Sequence, residues 1–296
     1  MLRSALQIAP EPCRASLVVL DFDGTLTDAD AHVAAFHEAS QQELARWSGW
    51  DEPTVRREWR CARAAVACLP QDAAWTVDGY GVCPATADPY LIANSVAKLL
   101  LTEHCPGLGD EAIVHAVLEV HHAAYERVPP RFRADASTLL EELCGGDLQV
   151  RVVTNSYTRT VVRLLASLSF RGAEKLMVRG NANKFSICGT SSADPRFESL
   201  PGTAEWPEVG RPVHLRRGKY FDLLRGVWDE TGTDPDSTLV VGDIFELDLA
   251  MPVALGTHVH LATRASTMPH EIQLARKLAR GDAAAPLSAI VDRIRG

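Results

Sequence analysis

Three short apolar runs in this chain each stop at a polar residue, and that pattern constrains the fold more than any other feature. Leu17-Val18-Val19-Leu20 runs into Asp21, Val150-Arg151-Val152-Val153 into Thr154, and Leu239-Val240-Val241-Gly242 into Asp243. Short runs rich in valine and leucine, bounded by turn formers, read as buried strands. Further strands are expected at Lys175 to Val178 and Thr257 to Leu261, with helical spacing between them at Ala134–Leu143, Val161–Leu168 and Lys219–Trp228. Strands alternating with helices imply an α/β architecture, a doubly wound parallel sheet. Ligands bind such sheets at the carboxyl ends of the strands, which places Asp21, Thr154 and Asp243 along one edge.

The segment after the first strand breaks this alternation. Four helical stripes follow one another, among them Val33, Phe36, His37, Leu44 and Trp47, then Val55, Trp59, Ala62, Val66 and Leu69. Asp51 with Pro53, Asp88-Pro89 and Asp110 supply start signals for the second, third and fourth. Gln71 to Thr86 is rich in turn formers and has no clear period, and Pro129-Pro130 ends the helical pattern. The expected organisation is therefore a core formed by 15–27 and 130–296, with a helical insert at 28–129. Within the core, 181–217 is Gly/Pro/Ser-rich and reads as a further insertion.

Composition narrows the function classes. A formal net charge of −8 over 296 residues argues against a nucleic-acid partner, which demands clustered Lys and Arg. The seven cysteines, Cys13, Cys61, Cys68, Cys83, Cys105, Cys144 and Cys188, include no C-x-x-C pair, so reduced thiols are expected rather than a zinc ribbon or disulfide framework. Met1 to Ser16 lacks the apolar stretch of a signal peptide, and no run reaches the length of a membrane span. A soluble, cytoplasmic protein with no membrane partner is the expectation; oligomeric state is open.

The chemistry-bearing residues converge on the strand ends. Asp21 and Asp23, in Asp21-Phe22-Asp23-Gly24-Thr25, can face one reacting centre if the chain turns at Gly24. One carboxylate can attack phosphorus while the other protonates the leaving oxygen and later deprotonates water. Thr154 and Asn155, at a strand end beside a helix start, suit a phosphate oxygen. Lys219, opening the helix before the fourth strand, is a cation for the same group, with Lys184, Arg216 and Arg217 as rivals. Asp243 and Asp248 follow the fourth strand. Two carboxylates about 4 Å apart repel by roughly 4 kcal/mol at an effective dielectric near 20. Gathering Asp21, Asp23, Asp243 and Asp248 at one edge therefore calls for a divalent cation, and oxygen-only ligands suit Mg2+.

These motifs, in this order, resemble the haloacid dehalogenase (HAD) superfamily: D-x-D-G-T at Asp21, a strand ending in Thr154, a lysine, and G-D-x-x-x-x-D from Gly242 to Asp248. The resemblance implies a HAD-like Rossmannoid core with a helical cap inserted at 28–129. It further implies Asp21 as nucleophile, Asp23 as general acid/base, and Thr154 and Lys219 as phosphate binders. Asp21, Asp243 and the backbone carbonyl of Asp23 would hold magnesium, with Asp248 or its rival Glu246 in support. The expected activity is a Mg2+-dependent phosphatase acting on a small phosphorylated metabolite through an aspartyl-phosphate. A phosphomutase on the same core and a non-catalytic binding protein are the alternatives. Phosphonate cleavage needs a cap lysine, and Lys98 lies inside an apolar helix stripe, which argues against it. Arg56, Arg57, Arg60 and Arg63 read as a solvated helix face. His32, His37, His121 and His122 read as core or surface histidines. Trp75, Asp78 and Tyr80 are candidate ligand contacts in the aperiodic segment.

Overall fold

The computed structural model describes residues 11–70 and 73–295; the N-terminal reading of residues 1–10, and Gln71 and Asp72 of the aperiodic segment, lie outside the described residues. The strands are β1 (Leu17–Leu20), β2 (Ala74–Val77), β3 (Tyr80–Pro84), β4 (Gln149–Val153), β5 (Met177–Arg179), β6 (Thr203–Glu205), β7 (Pro212–His214), β8 (Thr238–Gly242), β9 (His258–Ala262) and β10 (Ala283–Ala284). The helices are α1 (Ala29–Ser48), α2 (Glu52–Ala67), α3 (Pro89–His104), α4 (Asp110–Arg127), α5 (Ala136–Cys144), α6 (Thr158–Leu165), α7 (Pro195–Glu198), α8 (Gly218–Thr231), α9 (Ala250–Ala254), α10 (Pro269–Lys277) and α11 (Ser288–Arg295).

Six strands form one parallel sheet in the order β10-β9-β8-β1-β4-β5. The chain starts at the centre, builds outward through β4 and β5, then returns to the other side of β1 with β8. That reversal makes β1 the switch point, where crevices open at the carboxyl ends of strands. Leu20 is level with Val152 on β4 and Val241 on β8, so the residues that follow these three strands emerge side by side.

Alternation along each strand sorts the core into two layers. Leu17, Val19, Val240, Val259 and Leu261 face one way, against Tyr220, Phe221, Leu224 and Trp228 of α8, Met251 of α9 and Leu274 of α10. Val18, Leu20, Val150, Val152, Leu239 and Val241 face the other, against Leu139, Leu140 and Leu143 of α5, Val161 of α6 and Ile290 of α11. Near-continuous apolar strands are what a sheet covered on both faces requires.

Two compact units emerge from the chain. One comprises the described part of Met1–Thr27, Val77–Val82 and Phe132 onward; the other comprises Asp28–Thr76 and Cys83–Arg131. In the second, α1 packs on α2, α3 and α4, and α3 on α2 and α4. Three of its helices start on aspartates whose side chains accept the first free N–H groups. Asp28 takes Ala31 N at 2.9 Å, Asp51 takes Thr54 N at 3.0 Å and Asp88 takes Leu91 N at 2.6 Å. The buried faces are narrower than the sequence stripes: Trp47, Val114 and Leu118 are exposed, while His32 and His37 are buried. His32 bonds Tyr90 Oη and the Val128 carbonyl, and His37 the Pro89 carbonyl.

The aperiodic segment holds a hairpin. β2 and β3 pair across Asp78-Gly79, both at positive φ (50° and 79°), the requirement of a tight two-residue turn. An Asp-Gly pair flanked by Trp75-Thr76-Val77 and Tyr80 is the signal that marks it. The short edge strand β10 carries only two alanines and leaves no such signal. All seven cysteines are free thiols, and no described helix is long and apolar enough to cross a membrane.

Phe221, fully buried between Phe197 and Trp228, supports one whole layer of the core. Phe221→Ala is expected to destabilise the core by about 3–5 kcal/mol, whereas Leu118→Ala on the exposed side of α4 should change stability by less than about 0.5 kcal/mol. Urea unfolding followed by tryptophan fluorescence measures both. Burial depresses His121 to about 4, with its Nδ1 on Asn94. A histidine that is neutral when folded destabilises the helical unit as pH falls from its unfolded value near 6.5 towards 4. His121→Gln should flatten the stability profile in that window, as thermal melts at pH 7, 5.5 and 4.5 would read.

Candidate active site

Asp21 follows β1 directly and keeps the sheet register, its N–H donating to the Val241 carbonyl at 2.8 Å. Asp243 follows β8, and Asp248 returns to the same edge through one wide helical turn, Phe245–Leu249. The three carboxylates are buried and offer oxygens that all lie within 4.8 Å of one another. Two glycines permit the approach. A Cβ on Gly24 would fall 2.1 Å from Asp243 Oδ2, and one on Gly242 would fall 2.2 Å from Asp248 Cβ. Any side chain at either position would drive a carboxylate out of the group.

Buried negative charge is tolerable only with partners. Lys184, 1% exposed, donates from Nζ to Asp21 Oδ1 at 2.6 Å and to Asp248 Oδ1 at 2.8 Å. Its ammonium also lies 5.3 Å from the centre of the Tyr220 ring. Burial opposes the charge on Lys184, but Asp21 and Asp248 outweigh it and hold the ammonium well above the ordinary lysine value. Burial likewise pushes Asp21 up, with Asp248 and Asp243 adding to the effect and Lys184 opposing it. Asp248 is further fixed through Oδ2 by Ile244 N at 3.1 Å, while Tyr220 Oη donates to its backbone carbonyl at 3.0 Å. Arg264, just past β9, donates from Nε to Asp243 Oδ2 at 3.0 Å.

Asp23 has different surroundings. It is half-buried, and its Oδ2 accepts a hydrogen bond from Ser156 Oγ at 2.6 Å. Its carboxylate is not part of the three-membered acidic group. Thr154 is buried at the end of β4 and its Oγ1 accepts from Ser156 N at 3.2 Å. Asn155 is exposed, and its Oδ1 accepts from the backbone N–H of Lys184 at 2.8 Å.

The structure thus brings together Asp21, Asp243 and Asp248, with Asp23, Thr154 and Asn155 on the adjoining loops of β1 and β4. It does not bring Lys219 there. Lys219 is exposed on α8, whose inward positions are taken by Gly218, Tyr220 and Phe221. Lys184, one of the rival cations, stands beside the carboxylates instead. Arg216 is exposed and its guanidinium donates to the Leu200 carbonyl. Glu246 is buried but pairs with Arg211 at 2.7 Å, which leaves Asp248 as the second acidic member. Arg56, Arg57, Arg60, Arg63 and Lys98 are exposed on their helices.

Three residues escaped sequence reasoning. Ser156 carried a weak signal, a hydroxyl two positions past the strand end. Arg264 lies two residues past the end of β9, beside the strand whose end carries Asp243. Glu271, 2% exposed on α10, accepts Phe245 N at 2.9 Å and so anchors the turn carrying Asp248; burial pushes its carboxyl up to about 8.

As a cation site the group fits in two respects. Its donors are hard carboxylate oxygens, and they converge at the switch point of the sheet. The charge of Lys184 and Arg264 offsets part of the repulsion among them.

No protein-family model matches the chain, and no curated protein matches its sequence. Solved structures do match. One, described as a predicted phosphoglycolate phosphatase from Haemophilus somnus 129pt, superposes with a TM-score of 0.55 at 13% identity, covering 94% of this chain and 97% of that one. YfnB from Bacillus subtilis, described as a HAD-hydrolase and bound to magnesium, has a TM-score of 0.50 at 13% identity, covering 96% and 100%. A haloacid dehalogenase-like hydrolase from Streptococcus pneumoniae has a TM-score of 0.50 at 13% identity, covering 94% and 98%. At such identities the likeness is one of fold: the chain has the haloacid dehalogenase-like fold, an α/β core with a parallel sheet accompanied by a helical cap.

Proposed function

We propose that this protein is a magnesium-dependent phosphatase that hydrolyses a small phosphomonoester through an aspartyl-phosphate on Asp21. The observation that carries the reading is the buried group at the carboxyl edge of β1 and β8. Lys184 joins Asp21 to Asp248, Asp243 completes the acidic cluster, and Asp23 stands apart on Ser156. A structural neighbour described as a predicted phosphoglycolate phosphatase, and one bound to magnesium, support it.

Each residue has a derivable part. A carboxylate oxygen of Asp21 attacks phosphorus, and the bond from phosphorus to the ester oxygen breaks as Asp23 delivers a proton to that oxygen. Asp23, now ionised, takes a proton from water, whose oxygen attacks phosphorus and releases Asp21. Ser156 holds Asp23 through both steps, donating to the carboxylate form. Lys184 orients Asp21 and places positive charge where the anionic phosphoryl group approaches. Thr154, at the end of β4, contributes a hydroxyl on the same side. Asp21, Asp243 and Asp248 would hold Mg2+, which when bound screens the nucleophile from the anionic substrate and stabilises charge in the transition state. Asp23 belongs with the acid/base chemistry rather than with the carboxylate ligands.

Phosphate release from p-nitrophenyl phosphate and from a panel of small phosphomonoesters, with and without magnesium, tests the reading directly. The parent protein should turn over only with magnesium, and Asp21→Asn should lose turnover while keeping its fold. No release from any compound, or Asp21→Asn as active as the parent, would overturn it. Lys184→Met should lower kcat by at least about 10²-fold, the scale for losing a preorganised charge. It should also destabilise the core by about 3–5 kcal/mol, because two buried carboxylates lose their partner. Lys219→Met should leave both unchanged, and the reverse pattern would return the role to Lys219. Calorimetric titration should detect magnesium binding to the parent and weaker binding to Asp243→Asn. A parent that binds none would remove the metal from the mechanism.

A further inference from the structure

The insertion 181–217 ends in Arg217, which is 0% exposed. Its three guanidinium nitrogens each serve a backbone carbonyl: Nε that of His214 at 3.1 Å, Nη1 that of Lys184 at 2.5 Å, and Nη2 that of Val82 at 2.7 Å. We propose that Arg217 is the positioning residue for Lys184, tying the lysine that serves Asp21 to Val82 in the middle of β3. The catalytic consequence rests on the phosphatase reading; the geometric content does not.

Lys184 has a backbone held at both ends by side chains. Asn155 accepts its N–H from the loop after β4, and Arg217 donates to its carbonyl from the start of α8. From between these anchors its side chain reaches Asp21 and Asp248. The neighbouring chain reinforces the arrangement. Cys188 N donates to the Arg216 carbonyl at 3.1 Å, and Gly218 N to the Cys188 carbonyl at 3.0 Å, so Cys188, four residues past Lys184, is stitched beside 216–218. A Cβ on Gly218 would fall 1.9 Å from the Gly189 carbonyl, which keeps the two segments in register.

The residue type matters. A guanidinium presents N–H groups in a rigid planar fork, so one side chain can satisfy three carbonyls that approach from different segments. An ammonium on a flexible stem has no such plane. The third carbonyl, Val82, is contributed by the hairpin, whose tip also places Tyr80 edge-on to His214 at 5.0 Å. Displacing β3 at Val82 thus takes away one of the carbonyls that hold the guanidinium in the plane from which it reaches Lys184.

Lysine acylation of the full-length protein, mapped by mass spectrometry, reads the geometry without reference to activity. Exposed Lys219 is the internal reference, and the thiol of buried Cys144 reports global opening. In the parent, Lys184 should be strongly protected. In Arg217→Lys and Arg217→Met, Lys184 acylation should rise by about tenfold or more, the factor for a loss near 1.4 kcal/mol, with Cys144 still protected. Unchanged Lys184 protection in whichever variant folds overturns the proposal, as does acylation that rises only together with Cys144 exposure. The second arm is a double-mutant cycle. Arg217→Lys should lower kcat by about 10²-fold, the cost of misplacing a catalytic group by an ångström. In a Lys184→Met background it should cost less than about threefold, since residues acting through one group are not additive. Independent, multiplying effects would show that Arg217 acts elsewhere. A protein with no phosphatase activity fails the functional reading alone, because acylation still decides the role of Arg217.

Discussion

The ion group formed by Lys184 with Asp21 and Asp248 is the constraint around which the rest of the core is arranged. An ammonium and two carboxylates with almost no solvent access are costly to desolvate, and their mutual attraction repays that only with close geometry. Every nearby element contributes to that geometry. β1 and β8 run parallel and in register so that Asp21 and the Asp248 turn start level. Gly24 and Gly242 remove the side chains that would separate the carboxylates. Asn155 and Arg217 fix the lysine backbone, and Glu271 fixes the turn that carries Asp248. Such a group is a poor means of stabilising a fold, since an apolar replacement often does as well. On the proposed chemistry the group serves as preorganised charge for the reaction, the role in which buried ions are worth far more than in water.

Parts of this were legible in the sequence for physical reasons that can be named. A strand covered on both faces must be apolar throughout, so β1, β4 and β8 stand out, and the residues that end them are marked by the abrupt change to Asp or Thr. Asp51 and Asp88 announce helices because only a few side chains can accept the first N–H groups, whereas Asp110 opens α4 from within its first turn and caps nothing. Lys184 was not legible in the same way. It lies in a segment without periodicity, where no repeat reveals which side chains point inward, and its burial depends on contacts more than thirty residues away. Lys219 had the better local context, the start of an apolar helix before β8. That context is what excludes it: Tyr220 and Phe221 occupy the inward face, so their neighbour points to solvent.

The insertion that had no evident purpose in the sequence now has a structural account. Lys184 comes from its first turn, Arg211 pairs with buried Glu246, and Arg217 closes it against α8. Its short strands β6 and β7 form an antiparallel pair that carries Val213 into the core layer beneath α8. Segments of this kind, irregular yet packed, escape pattern reading because their polar groups are satisfied by tertiary partners rather than by neighbours in sequence.

Asp21 and Asp23 show how one short motif can yield two kinds of carboxylate. They are the same residue type two positions apart, so nothing intrinsic separates them. Environment does: Asp21 is buried against an ammonium and two further carboxylates, whereas Asp23 is half-buried on a serine hydroxyl. A nucleophile must keep a fixed direction and stay ionised, which the contact with Lys184 favours. An acid/base must exchange protons with a leaving group and with water, which partial exposure and the neutral hydroxyl of Ser156 allow. On the proposed chemistry the partners assign the roles: Asp21 remains in the charged interior with Lys184 while Asp23, two residues on, meets Ser156, and a two-step reaction needs that asymmetry.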